Sequence, residues 1–417
     1  MRIAIIGTGI AGTTAAHLLQ EDHEVHVFEA DDRPGGHANT VTVDLPEGPV
    51  AADTGFLVYN ERTYPLFTRL LADLGVATHP SEMSFSLTDL RCGIEWRGTS
   101  LSTVFAQRRN ALRPAFLAML ADIVRFNRLS RDLLNGTRGH GGAGSLADLL
   151  AEHRWSTGFL DWYLIPLGSA IWSADPETFT QIPAQAFVEF FSRHGLLGPG
   201  DQPAWRTVTG GSARYVEAIL EPLRRRGRVH LSTAVTKLRR HERGVELLTA
   251  AGPDPFDHVV VATHSDQALA LLGDPTDRER RVLGALRYQP NRATLHTDTA
   301  LLPTNRRAWA SWNYVRPAGS SGRAALTYYL NRLQGLEAER PVLVTLNRDE
   351  AIDPSHVVAN FDYAHPILDQ AAETAQASQR ALSAEAVSYC GAYWGYGFHE
   401  DGVRSALAVC ERFGARL

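Results

Sequence analysis

The first twelve residues most restrict how this chain can fold. A mostly β-branched run, Ile3 to Ile6, leads directly into a turn and then a helical pattern, and the turn reads Gly7-Thr8-Gly9-Ile10-Ala11-Gly12. In such a turn the first glycine allows the tight bend, the second lets a pyrophosphate approach the backbone, and the third lets the helix pack on the strand. N–H groups at the helix start can then hold phosphates. The segment predicts a parallel α/β sheet that binds a dinucleotide.

The second predicted strand, "HEVHVFEA", supports the same interpretation. It ends with Glu29 and Ala30, and Glu29 lies 29 − 12 = 17 residues beyond the last glycine of the turn. A carboxylate at this position can accept hydrogen bonds from the ribose hydroxyls of an adenosine. It would also repel the 2′-phosphate of NADP, so the pattern disfavours that cofactor.

The continuation, "EADDRPGGHANT", gives the pattern its specificity. A strand ending in Glu and followed by Arg33-x-Gly35-Gly36 resembles the signature of the flavin-dependent amine oxidase superfamily. The resemblance implies FAD as the cofactor, with the glycines admitting its diphosphate and the arginine assisting the phosphates. The residues it assigns to the cofactor in this part of the chain are Gly7, Gly9, Ile10, Ala11, Gly12, Glu29, Ala30, Arg33, Gly35, Gly36 and His37.

Composition excludes several classes of function. The net charge of -5, with no polybasic run, gives no reason to expect nucleic-acid binding. The three cysteines have spacings that suit neither a disulfide framework nor a metal site, so we expect a reducing, cytoplasmic location and no metal. No window approaches the roughly 18 apolar residues of a membrane span, so any membrane contact would be peripheral.

The 417 residues and 44% hydrophobic content predict two domains. The stretch "RGRVHLSTAVTKLRR" resembles the strand that returns to an FAD domain, where the backbone of Val235 would contact adenine. We therefore expect an α/β fold in which a Rossmann-like FAD-binding domain of the glutathione-reductase type is interleaved with an α+β substrate domain. The expected segments are FAD-binding at 1–75, 206–275 and 381–417, a substrate or helical subdomain at 76–205, and a substrate-domain sheet at 276–380.

The loop "CGAYWGYGFHEDG" is the second candidate site. By resemblance, its strand ends at Gly391, and a helix beginning near Gly402 and Val403 points at the flavin. The loop's aromatic residues can wall a substrate cavity or serve only as core packing. The candidates for proton transfer are His399, Glu400 and Asp401, with helix capping as the structural alternative for the acidic pair Glu400 and Asp401. The predicted catalytic residues are His399, Glu400, Tyr393 and Tyr396, and the predicted substrate-binding residues are Trp172, Trp312, Asn313 and Trp394.

Three positions depart from the amine-oxidising relatives. Ala392 stands where many carry an acidic residue, His37 stands where they carry an arginine, and Lys237 is the chain's single lysine. The motifs "GGHANTVTV", "PAWRTVTGGSARYV" and "CGAYWGYGFHEDG" more closely resemble the flavoproteins associated with cyclopropane fatty acid synthases. This resemblance implies hydride removal from a lipid-like or modified fatty acyl substrate, with a methyltransferase as a partner.

Two alternative functions remain open. The first is oxidation of a small amine or other small organic molecule, with Tyr393 and Tyr396 forming an aromatic cage. The second is a flavin-binding accessory protein that assists a methyltransferase without turnover.

Residues 101–134 are helical and rich in arginine; we expect an amphipathic lid or subdomain helix there rather than a membrane-docking element, because the basic residues do not gather on one face.

Overall fold

A five-stranded parallel sheet forms the centre of the first domain in the computed structural model, which describes residues 1–136, 144–198, 200–319, 322–383 and 386–417. In spatial order its strands are β10 (Val229–His230), β2 (Glu24–Phe28), β1 (Arg2–Ile6), β14 (His258–Val261) and β20 (Val387–Tyr389). Neighbouring strands all pair in parallel. The sheet is therefore built from three widely separated parts of the chain.

The two faces of this sheet bury alternate residues of β1, as the period of a strand requires. Ile3 and Ile5 pack against one set of helices: α1 (Ile10–Leu19), α2 (Pro65–Asp73), α10 (Ala213–Arg225) and α16 (His399–Cys410). Ala4 and Ile6 face the other layer. That layer contains β11 (Lys237–His241), β12 (Gly244–Thr249), β13 (Gly252–Phe256), α11 (Ser265–Leu271), α12 (Asp277–Ala285), α14 (Gln370–Gln376) and α15 (Gln379–Leu382). This arrangement confirms the predicted Rossmann-like fold.

A seven-stranded mixed sheet forms the second domain. Its order is β19 (Val357–Pro366), β15 (Tyr288–His296), β18 (Leu343–Leu346), β17 (Leu326–Tyr329), β16 (Trp312–Arg316), β7 (Phe85–Asp89) and β8 (Ile94–Arg97). Only β16 and β7 pair in parallel among these strands, which lie in the described part of the chain. A short helix, α13 (Leu330–Leu333), follows β17.

The helices that follow β8, up to residue 193, pack as a separate layer around a core rich in phenylalanine, including Phe126, Phe159 and Phe187. They are α4 (Pro114–Leu134), α5 (Leu146–Ala151), α6 (Thr157–Phe159), α7 (Ile165–Trp172), α8 (Pro176–Phe179) and α9 (Ala184–Arg193). The short helix α3 (Leu101–Val104) packs instead against β8. A π-helical turn, Leu160–Leu164, joins α6 to α7.

Two small sheets connect the domains. One contains β3 (Thr40–Leu45) and β4 (Gly48–Asp53), and the other contains β5 (Tyr59–Asn60), β9 (Trp205–Val208) and β6 (Thr78–Pro80). Among the helices of the described residues, none has the length and hydropathy of a membrane span.

Candidate active site

The glycine turn after β1 has two tightly packed positions and one open position. A Cβ atom at Gly12 would lie 2.0 Å from the carbonyl oxygen of Gly7, so no larger residue fits there. A Cβ atom at Gly9 would meet no atom within 4 Å. Helix α1 starts from Gly9 without a side-chain cap and without an acidic residue in its first turn. Its unpaired N–H groups therefore border open space, as a phosphate site requires.

A second loop closes against this turn. The Glu29 carboxylate accepts a hydrogen bond from the Thr8 N–H (2.9 Å) and another from the Thr8 hydroxyl. The Gly35 N–H donates to the same hydroxyl oxygen at 3.0 Å, and Arg33 Nη1 donates to the Gly36 carbonyl at 3.0 Å. The Asp31 N–H also donates to Glu29, at 3.2 Å. A carboxylate offers about four acceptor positions, so Glu29 keeps one position for a ribose hydroxyl while it orders the turn.

The start of α16 lies against the start of α1. A Cβ atom at Gly402 would come 2.5 Å from Ile10 Cγ2, so glycine permits this close crossing. Val403 is fully buried in the same core cluster as Ile10. The Gly391 N–H, just beyond β20, donates to Ser405 Oγ at 2.9 Å and fixes the strand end to α16. Two helix N-termini thus converge at the carboxyl edge of the parallel sheet, where open α/β sheets bind their ligands.

The remaining predicted cofactor residues lie around this edge. Ala30 is exposed immediately after Glu29. Val235 is 9% exposed, and its side chain packs in the core between the parallel sheet and the β11–β13 layer, which leaves its backbone for an adenine contact.

The acidic pair at the start of α16 binds backbone groups. Glu400 accepts hydrogen bonds from the N–H groups of Leu66 (3.2 Å) and Phe67 (3.0 Å), and so caps α2. Asp401 accepts from the Phe398 N–H at 3.1 Å and caps its own helix. Burial raises the pKa of Glu400 and raises the pKa of Asp401 to about 6. Both carboxyls therefore stabilise helix starts.

His399 is enclosed by aromatic residues. Its ring stacks on Phe56 with 3.5 Å between centroids, and its Nε2 atom lies 3.0 Å from the Tyr215 hydroxyl oxygen. Burial lowers the pKa of His399 to about 3. The imidazole is therefore neutral at physiological pH, and one of its nitrogens is already occupied.

The tyrosines of the C-terminal loop point to different sides. Tyr393 packs in the cluster of the β11–β13 layer, with its ring 6.4 Å from Tyr288. Tyr396 packs in the helical layer, 5.5 Å from the ring of Phe190. Trp394 lies beside Tyr393 at 5.1 Å. Since the two tyrosines occupy separate clusters, they do not form opposite walls of one cage in this structure.

Trp172 is the predicted substrate residue that approaches this loop. Its ring lies 4.6 Å from Phe190 and 6.4 Å from Phe398. The indole nitrogens of Trp172 and Trp394 are buried and have no hydrogen-bond partner among the described residues. Two buried donors near the C-terminal loop are thus free.

Trp312 and Asn313 lie on β16 of the seven-stranded sheet. The Trp312 ring packs perpendicular to Tyr328, 5.2 Å away. The Asn313 amide donates to the carbonyls of Ala310 (2.6 Å) and Thr327 (3.1 Å), while its oxygen accepts from the Ser86 hydroxyl (2.9 Å) and the Ala310 N–H (2.9 Å). These four bonds use the full hydrogen-bonding capacity of the Asn313 amide.

A buried histidine and tyrosine cluster joins the two domains. The His37 ring stacks on Tyr363 at 4.6 Å and meets His365 edge-on at 5.2 Å. The Tyr363 hydroxyl is fixed by Thr54 (2.7 Å) and Asn39 (3.1 Å). His37 Nε2 is buried without a hydrogen-bond partner among the described residues. Burial holds the pKa of His37 well below its usual value, so the ring is neutral.

Sequence reasoning did not assign Tyr363 or His365. The available signal is the alternation of Phe361, Tyr363 and His365 along β19, which places all three on one face of the strand. That face adjoins His37 only because the two domains are interleaved.

A cavity of about 230 Å³ opens on the outer side of the loop. Its walls include three aromatic rings, three arginines and the two carboxylates of α16: Phe190, Tyr396, Phe398, Arg62, Arg193, Arg404, Glu400 and Asp401. Each of the three arginines is already paired with a carboxylate, and Arg404 pairs with Glu400 and Asp401 themselves. The cavity therefore offers an apolar wall together with charged groups of both signs.

The family model for flavin containing amine oxidoreductases matches residues 10–413. The chain belongs to this family. FAD is accordingly its cofactor. The open space at Gly9, the uncapped start of α1 and the spare acceptor capacity of Glu29 fit that cofactor.

Individual proteins resemble the chain more distantly. A Mycobacterium tuberculosis protein named as a flavin-containing monoamine oxidase, AofH, is 26% identical over 284 residues, covering 66% of this chain and 59% of that protein. Cyclohexylamine oxidase from Brevibacterium oxydans shares the fold with a TM-score of 0.67 and 17% identity, covering 99% of each chain. Wild-type putrescine oxidase bound to putrescine gives a TM-score of 0.68 with 16% identity and 99% coverage of both chains. A fatty acid isomerase from P. acnes gives 0.67 and 15%, covering 99% of this chain and 98% of that one.

Proposed function

We propose that this FAD-dependent oxidoreductase oxidises or desaturates a lipid-like or modified fatty acyl substrate. The observation that carries the proposal is that the C-terminal loop offers no free carboxylate and packs its aromatic residues in apolar surroundings. Its two carboxyls, Glu400 and Asp401, are occupied by backbone N–H groups, and its aromatic residues pack into apolar clusters. A substrate with no cation to bind suits such surroundings better than an ammonium ion does.

The chain's own residues would position the substrate and exclude water. When bound, FAD supplies hydride acceptance at flavin N5. His37, with its free and buried Nε2, is the neutral hydrogen-bonding group we assign to the cofactor side of the site. The free indole donors of Trp172 and Trp394 would orient a polar group of the substrate, and the surrounding aromatic rings would hold its apolar part.

Two comparisons support the acyl substrate. The motifs of the chain resemble those of flavoproteins associated with cyclopropane fatty acid synthases, and the fatty acid isomerase from P. acnes has the same fold. The cavity beside Tyr396 adds aromatic walls on which an acyl chain would pack. A methyltransferase that modifies acyl chains would be the partner that supplies the substrate.

Anaerobic reduction of the holoprotein tests the proposal. The bound flavin is mixed with saturated, unsaturated, methyl-branched or cyclopropane-containing phospholipids, with glycerophosphocholine, which has no acyl chain, as the matched control. We expect the flavin absorption to bleach with at least one of the four phospholipids and not with the control. A yellow protein that no lipid bleaches would overturn the proposal and favour an accessory role.

Oxidation of a small amine is the second candidate, favoured by the similarity to AofH over part of both chains. The separation of Tyr393 and Tyr396 into different clusters argues against it, because an amine cage needs aromatic walls that face each other. Peroxide formation with putrescine or cyclohexylamine, in the absence of any bleaching by lipid, would replace the acyl proposal with this one.

A further inference from the structure

The exposed side of α4 combines apolar residues with arginines. Leu117 is 45% exposed and Val124 is 61% exposed, although both belong to a 21-residue helix whose opposite side buries Phe116 and Phe126 completely. Arg128 follows Val124 by four residues and Leu117 by eleven, so the three share one face. This face of α4 therefore combines apolar residues with a basic one, Arg128.

The segment before α4 extends this surface. Leu101 is 80% exposed and Leu112 is 86% exposed. The two parts of the segment are connected beneath the surface, because the rings of Phe105 and Phe116 lie 5.9 Å apart. Exposed leucines of this extent contribute nothing to the core. Grouped on one segment, they mark an interaction surface.

The same segment carries a strong charge asymmetry. Residues 101–134, from the start of α3 to the end of α4, contain six arginines and two acidic residues, Asp122 and Asp132, whereas the whole chain has a net charge of -5. Asp122 is 8% exposed and accepts a hydrogen bond from the Ser156 N–H at 2.7 Å, so it presents little negative charge to a partner. The six arginines of the segment are Arg108, Arg109, Arg113, Arg125, Arg128 and Arg131.

Three of these arginines are available to a partner. Arg125 pairs with Asp122 at 3.2 Å. Arg108, Arg113 and Arg128 have no ion pair within the described ranges of the chain. A surface with unpaired arginines and exposed leucines, whose two carboxylates Asp122 and Asp132 are buried and half-buried, complements a layer of phosphates that lies over an apolar interior.

We propose that this surface, formed by Leu101, Leu112, Leu117, Val124 and the arginines of residues 108–131, docks on anionic lipid bilayers. The leucines would enter the region below the headgroups, and the arginines would bind the lipid phosphates. Arginines alone would bind any polyanion, but leucines that are 80% and 86% exposed, Leu101 and Leu112, gain free energy from burial in an apolar medium. The proposal stands apart from the acyl substrate, although it would bring the enzyme to a lipid pool.

Sedimentation of the holoenzyme with vesicles tests the docking. We expect the protein to pellet with vesicles of phosphatidylcholine and phosphatidylglycerol and to stay in the supernatant with phosphatidylcholine alone. The exposed pair Leu112→Asp and Leu117→Asp should weaken binding about ten-fold or more. Arg113→Gln and Arg128→Gln should each weaken it about five-fold, from about 1 kcal/mol per basic residue.

Val358→Asp is the matched control. Val358 is 43% exposed on β19, at the opposite edge of the seven-stranded sheet from β8, beside which α3 packs. We expect it to bind vesicles like the unaltered protein. The absence of binding to either vesicle would overturn the proposal. An equal loss of vesicle binding in the Val358→Asp control would also overturn it. Binding that is unchanged by both leucine substitutions would overturn it as well, because the surface would then be a general polyanion site.

Discussion

The Nε2 atom of His399 lies 3.0 Å from the hydroxyl oxygen of Tyr215, and the pair is closed off from solvent. We expect His399→Phe to retain FAD and the rate of flavin reduction but to lose about 1–3 kcal/mol of stability, because it leaves a buried hydroxyl unpaired. Urea unfolding and anaerobic reduction measure the two quantities. Adding Tyr215→Phe should restore stability. A large loss of reduction rate at unchanged stability would instead assign His399 to proton transfer.

The glycine turn offers a matched pair of substitutions. Gly9→Val should leave the fold of the apoprotein intact, because a Cβ atom there meets nothing within 4 Å, yet it should abolish FAD binding by filling the phosphate space. Gly12→Val should prevent folding, since its Cβ would lie 2.0 Å from a carbonyl oxygen. Circular dichroism and flavin absorption separate the outcomes. Full flavin content in Gly9→Val would show that the phosphates bind elsewhere.

The free nitrogen of His37 gives a third prediction. His37→Phe keeps the ring stacking on Tyr363 but removes the hydrogen-bonding atom. A lost hydrogen bond is worth about 1 kcal/mol, so FAD should dissociate from the variant about five- to ten-fold more readily. Titration of the apoprotein with FAD measures the change. His37→Gln, which restores a polar group, is the control. If His37→Phe and His37→Gln bind FAD with equal affinity, His37 does not form a hydrogen bond to the cofactor.

Buried neutral histidines predict sensitivity to acid. Burial lowers the pKa to about 4 for His194, His296 and His365 and to about 3 for His399. In the unfolded chain these groups take up protons near pH 6.5. Stability that depends on them is therefore present above pH 6.5 and is lost as the pH falls toward 4.

Two buried carboxyls make a contribution to stability that depends on pH in the opposite sense to that of the histidines. The pKa of Asp53 and that of Asp401 are both raised to about 6 by burial, so their contribution is greatest at low pH and is lost as the pH rises through 6. The four histidines bind more additional protons on unfolding than the two carboxyls release, so the histidines determine the sign of the pH dependence. We expect the free energy of unfolding to fall between pH 7 and pH 5, by about 1.4 kcal/mol per pH unit for each net proton. Urea midpoints at the two pH values measure it, and His194→Gln should reduce the slope.

The cofactor-binding half of the fold follows from local sequence. The strand from Ile3 to Ile6 lies within β1, and Glu29 directly follows β2, because turn geometry and side-chain periodicity act over a few residues. The parallel pairing of β7 with β16 could not be predicted in this way. It joins Phe85 to Trp312, and such distant pairing depends on how the domains pack.

The sequence places the C-terminal loop between a strand and the last helix, as β20 and α16 bear out, but it does not predict which residues contact the loop. Glu400, for example, caps a helix 334 residues earlier in the chain at Leu66. The contact between His37 and Tyr363 is equally remote in sequence. The role of a residue that depends on such distant neighbours can be assigned only from the three-dimensional structure.

The crossing of Gly402 over Ile10 also has a consequence for biosynthesis. These residues are 402 − 10 = 392 positions apart, and both helix starts border the same site. A nascent chain on the ribosome therefore exposes its glycine turn long before α16 arrives to cover it. Contacts of such long range form slowly, so we expect FAD to be captured after translation has passed residue 402.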